Sequence, residues 1–119
     1  MDVKSNVEEL NKMILEGQIM EAFEKFYAED VVMIEPGEEP HMGKDVNRQR
    51  EEKFMSMIKQ FHGGEVKAVA VEGDKAFVEW MMDVEFQDGN RVKMEQVAVQ
   101  TWRDGKIVEE RFYYDKPKQ

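Results

Sequence analysis

Two acidic side chains in the C-terminal half, Glu95 and Glu110, are the strongest candidates for chemistry in this sequence. Both sit in runs that read as strands, where successive side chains point to opposite faces. A carboxyl held against apolar walls has its ionised form disfavoured. Its pKa rises, and it can exchange a proton near neutral pH. The competing reading is an ion pair, Glu95 with Lys67 or Lys93 and Glu110 with an arginine. Glu35, just before Pro36-Gly37, is a third carboxylate that either overhangs a pocket mouth or is a solvated strand end. His41 lies in the loop beyond. Histidine suits proton transfer near neutrality, although one loop histidine equally reads as a surface residue. Tyr27, Trp80, Phe112 and Tyr114 would line an aromatic cavity whose phenols could hold a carbonyl or enolate oxygen. Core packing is their other account.

Other chemistries have no residues to carry them. The chain has no cysteine, hence no disulfide and no thiol nucleophile. No His/Cys/Asp cluster has metal-ligand spacing, and no glycine-rich phosphate loop occurs. Ser5 and Ser56, the two serines, both fall in expected helices, which leaves a serine triad without a seat. Neither a metal nor a cofactor is expected. Seventeen basic against 26 acidic residues give a net charge of −9, which repels nucleic acid. No apolar run approaches the ~20 residues of a membrane span, and the acidic start lacks a signal-peptide pattern. The expectation is a cytoplasmic protein with one domain over residues 1–115 and a frayed tail over 116–119. Its ten methionines fill the core or make a plastic cavity.

The elements that must position these residues follow from periodicity. Ser5 and Glu8 have capping-box spacing; Val7, Leu10 and Ile14 form one helical stripe, and Gly17 ends it. Ile19, Ala22, Phe23 and Phe26 mark a second helix that stops near Asp30. "VVMIE" (31–35) reads as a short strand. Asp45 is an N-cap for a third helix whose apolar side is Val46, Phe54, Met57, Ile58 and Phe61. Gly63-Gly64 ends it, with His62 as a helix-end residue. Beyond Glu65 the chain reads as four strands joined at "EGDK", "QDGN" and "RDGK", each a two-residue hairpin signal.

With Gly73-Asp74, Asp88-Gly89 and Asp104-Gly105 as central pairs, the strand register follows by counting. Val78 opposes Val99 and then Glu110, Trp80 opposes Val97 and then Phe112, and Met82 opposes Glu95 and then Tyr114. These rows form the more apolar face, to be covered by the helices, so Glu95 and Glu110 point inward and Glu109 outward. The other face collects Phe77, Glu79, Met81, Gln96, Ala98, Gln100, Arg111 and Tyr113. It reads as a homodimer interface in which Glu79 and Arg111 bridge across Ala98, or as a solvated sheet face.

"FYAEDVVMIEPGEEPHMGKD" (26–45) and "QTWRDGKIVEERFYYD" (100–115) resemble the nuclear transport factor 2-like superfamily, in its SnoaL-like polyketide cyclase branch. The resemblance covers nearly the whole chain. It implies an α+β, cystatin-like cone: three N-terminal helices packed on a curved antiparallel sheet with an internal pocket. It also implies binding of a small apolar ligand, with two functional readings left open. One is a cofactor-independent isomerase, cyclase or dehydratase that acts on a carbonyl compound through pocket carboxylates. The other is a non-catalytic ligand-binding or dimerisation module. Glu110, Phe112 and Tyr114 match the family's inward positions on the last strand, and Glu35 matches a common acidic or polar position. Phe112 after Arg111 departs from the epoxide hydrolase pattern, and the ketosteroid isomerase set of a tyrosine with two aspartates is not matched.

Overall fold

The structure, a computed structural model, describes residues 2–115. Asp2, rather than Ser5, caps the first helix, its carboxylate accepting the Ser5 amide at 2.8 Å. Helix α1 (Val3–Leu15) ends as its glycine suggests. Gly17 (φ +83°) donates to the Ile14 carbonyl and Gln18 to that of Met13, a Schellman closure. Helix α2 (Ile19–Phe26) passes directly into β1 (Tyr27–Ile34), so the helix stops earlier and the strand begins earlier than the sequence pattern suggests. Tyr27 is already extended and pairs with Ile107, a contact remote in sequence. After β2 (His41–Met42), α3 (Lys44–Met57) gives way to β3 (Ile58–Glu72). Ile58, Phe61 and His62 therefore belong to a strand and not to the third helix. The meander continues through β4 (Lys75–Phe86), β5 (Arg91–Arg103) and β6 (Lys106–Tyr113).

The six strands form one sheet in the order β2-β1-β6-β5-β4-β3. It is mixed, because β1 runs parallel to β6 while the other pairings are antiparallel. Three helices pack on this sheet in an α+β arrangement. Val7 and Leu10 from α1 and Ala22, Phe23 and Phe26 from α2 meet Val78, Trp80, Trp102 and Ile107 of the sheet in the core. The inner side of α3 is more polar than its apolar residues imply: Val46 and Met57 are 46% and 45% exposed, while Lys44 and Asn47 are buried. Both buried groups are satisfied, as polar burial requires. Lys44 donates to the Glu24 carbonyl and Asn47 to those of His41 and Gly43.

The hairpins set which residues face the helices. Glu72–Lys75 and Arg103–Lys106 close two-residue turns as expected. The middle hairpin differs. Gly89 donates to the Phe86 carbonyl at 2.9 Å and Phe86 to the Asn90 carbonyl at 2.8 Å, with Gly89 at φ +93°. That is a three-residue loop, Gln87–Gly89, ending in a left-handed glycine. Val78 consequently pairs with Ala98 instead of Val99, and every β5 side chain turns over. A bulge at Val108, between the Trp102–Ile107 and Thr101–Glu109 pairs, adds a second one-residue shift. The two shifts leave Glu110 inward, opposite Gln100. Glu95 faces outward, and Gln96, Ala98 and Gln100 face inward, the reverse of the expected placement for all four.

Candidate functional site

Between the helices and the inward sheet face lies a cavity of about 920 Å³, within the size range of small-molecule sites. Its apolar walls include Leu10, Phe23, Phe54, Trp80, Met82 and Phe112. Its polar lining draws on several elements. The bulge in β6 aims Glu110 inward, the β5 register adds Gln100, the α2–β1 junction supplies Tyr27, and α3 supplies Glu51.

Glu110 is 3% exposed and fully engaged. The Tyr27 hydroxyl donates to its Oε1, and the Gln100 amide donates to its Oε2 at 2.9 Å. Trp102 Nε1 donates to Gln100 Oε1 at 3.1 Å. With that oxygen taken, the Gln100 amide nitrogen is left to face the carboxylate. Tyr27 is itself stacked on Phe23, with ring centroids 4.8 Å apart. Burial pushes the Glu110 carboxyl up to about 7; the two donors oppose the shift, and the charges of Glu51 and Glu35 add to it. Burial first, and then the charge of Glu110, holds the Tyr27 phenol well above its ordinary range, so it remains a donor.

A second cluster lies where β1 ends. Tyr114 donates to Glu35 Oε1 at 2.7 Å, and Arg50 Nη2 meets Glu35 Oε2 at 3.3 Å. Arg50 Nη1 also reaches Asn47 Oδ1 at 3.0 Å. Burial, followed by the bond to Glu35, raises the Tyr114 phenol. Glu51, one residue along α3, is half-buried against the cavity; burial raises its carboxyl, while the Arg50 charge pulls it back.

The cavity thus brings together Glu110, Glu35, Tyr27, Trp80, Phe112 and Tyr114 from the residues singled out in the sequence. Glu95 also borders the cavity, but from the outward side of β5 and without joining the inward cluster. Its side chain is 67% exposed and meets Lys67 Nζ at 3.5 Å, the ion pair that was its alternative reading. The extra residue in the Gln87–Gly89 loop is the reason. His41 lies on β2 with its Nε2 2.9 Å from Glu38 Oε1, outside the cavity lining. His62 meets Glu85 Oε1 at 2.9 Å from β3. Gln100, Glu51 and Arg50 were not singled out. Gln100 was lost to the shifted register. Glu51 shares a helical stripe with Asn47 and Phe54, a spacing that could have revealed it. Among the described residues no group of His, Cys, Asp or Glu could hold a metal ion, and no helix is long and apolar enough to cross a membrane.

The SnoaL-like domain model matches residues 1–114. No functionally curated protein matches the chain. Among solved structures, a protein of Mesorhizobium loti assigned by resemblance to the SnoaL-like polyketide cyclases is 31% identical, with a TM-score of 0.85. That match covers 96% of this chain and 100% of the other. A Xanthomonas campestris protein with a cystatin-like fold is 21% identical, with a TM-score of 0.83 over 98% of this chain and 92% of its own. A Jannaschia protein also assigned to the SnoaL-like cyclases is 19% identical, with a TM-score of 0.80 over 94% and 86% of the two chains. The last two likenesses concern the fold alone. The family model over residues 1–114 and the 31% identical relative agree, and the chain belongs to the SnoaL-like domain family.

Proposed function

We propose that this chain binds an apolar carbonyl compound in its cavity and moves a proton on it through Glu110, as in a cofactor-independent isomerisation, cyclisation or dehydration. The observation that carries the reading is a buried carboxyl held near neutrality in a cavity with apolar walls. Such a group is poised between acid and base at the working pH. Ionised, it takes a proton from the carbon beside the carbonyl; protonated, it returns one. Tyr114 or Tyr27 steadies the developing oxygen charge by turning its single O–H from Glu35 or Glu110 to that oxygen, since both phenols are held in their protonated form. Gln100 and Trp102 position the carboxylate, and Glu35 positions Tyr114.

The test is exchange of α-protons of a panel of apolar cyclic ketones in D2O, followed by NMR. Catalysed exchange with an apparent pKa near 7 is expected, and Glu110→Gln removes it. Exchange at the buffer rate for every ketone, or an undiminished rate in Glu110→Gln, would contradict the proposal.

We infer further that the outward sheet face pairs two copies of the chain. Phe77 and Tyr113 are 37% and 52% exposed there, beside half-buried Met81, Val97 and Val99. Arg111 lies over the Tyr113 ring at 5.5 Å, and Glu79 and Glu109 share the face. A two-fold axis could set the arginine of one copy against the acids of the other.

A further inference from the structure

The cavity carries a half-buried acid, Glu51, that no hydrogen bond or ion pair holds among the described residues, although the nearby Arg50 charge offsets part of the cost of its burial. Burial raises its carboxyl. Its neighbour Arg50 is taken by Glu35 and Asn47. Glu35 also holds Tyr114, and Glu110 holds Tyr27 and Gln100. Lys93 borders the cavity from an exposed β5 position opposite Asp83. A carboxylate withdrawn from water and only partly compensated is costly, and an opposite charge brought by a ligand relieves that cost. The remaining walls suit such a charge, because aromatic faces attract cations and Phe23, Tyr27, Trp80 and Phe112 all line the space. The net charge of −9 draws cations toward the protein as well.

We propose that the ligand of this cavity is an apolar molecule bearing a protonated amine, which pairs with Glu51, and that anionic ligands are rejected. The inference rests on reading the cavity as a small-molecule site. A carboxylate or phosphate on the ligand would meet Glu51, Glu35 and Glu110, and among the described residues the lining cation without an ion pair, Lys93, lies at an exposed position away from them, so rejection is built into the same charge pattern.

Three probes of one shape test it: 2-naphthylmethylamine, 2-naphthylmethanol and 2-naphthoate, titrated into the full chain by calorimetry at pH 7. The amine should bind roughly tenfold tighter than the alcohol, with naphthoate the weakest. Glu51→Gln should close the gap between amine and alcohol, with Glu51→Met as a second variant should the first fail to fold. Naphthoate binding as tightly as the amine, or an amine preference that survives the loss of Glu51, would overturn the assignment while leaving the cavity reading in place. Failure of all three probes to bind would bring down the cavity reading and this inference with it.

Discussion

Glu110 sits under opposing forces, of which burial is the larger. Burial favours its neutral form, whereas the Tyr27 hydroxyl and the Gln100 amide favour the charged one. Removing one donor therefore has a definite sign. Tyr27→Phe should move the Glu110 midpoint above its value in the unaltered protein, because one stabiliser of the carboxylate is gone and the apolar wall remains. The same change should cost about 1–2 kcal/mol of stability, the usual effect of losing a buried hydrogen bond. Carboxyl-carbon NMR reads the first effect and chemical denaturation the second; a midpoint that falls would contradict the account. Trp102 acts one step further out. By occupying Gln100 Oε1 it leaves the amide nitrogen for Glu110.

The decisive element is the Gln87–Gly89 loop. An Asp-Gly pair supports either a two-residue turn or a three-residue turn whose last glycine is left-handed. The local residues do not separate these, and the choice flips a whole strand. Glu110 was nonetheless legible, because the bulge at Val108 restores the alternation that the loop had shifted. Glu95 and Gln100, which lie between the two irregularities, were not. Helix α3 illustrates a different loss. Reading its apolar residues alone picked Phe54, which does line the cavity, together with Val46 and Met57, which are exposed, whereas tertiary packing buries Asn47 and turns Glu51 toward the cavity. Gly17, by contrast, closes its helix as its sequence position implied. Gly89→Ala tests the loop: a methyl group there would meet nothing within 4 Å, so its cost is backbone strain alone. The expected loss is about 1 kcal/mol in denaturation, and an unchanged stability would argue against the left-handed glycine.

For the molecule as a whole, a carboxyl raised in the folded state makes stability fall as pH rises. The folded chain holds the Glu110 proton between pH 4.5 and about 7, where the unfolded chain has released it. Stability from this group is complete below that window and lost across it, amounting to about 3 kcal/mol. Glu51 is raised in the same sense, whereas Glu24, Asp83 and Glu85 are lowered by their basic partners, so their stabilisation is present above the ordinary carboxylate range and is lost only at more acid pH. Denaturation curves from pH 5 to 8 should therefore slope downward, and Glu110→Gln should flatten them. Assembly is the other property at this scale. Sedimentation should give a dimer that Arg111→Glu weakens, and a monomer in the unaltered chain would dispose of the outward-face interface. The most direct test of the central claim is the NMR titration of the Glu110 side-chain carboxyl, identified by its disappearance in Glu110→Gln. A midpoint near 7 is predicted. A midpoint near the ordinary 4.5 would mean that water reaches the group freely and that the proposed proton-moving cavity does not exist.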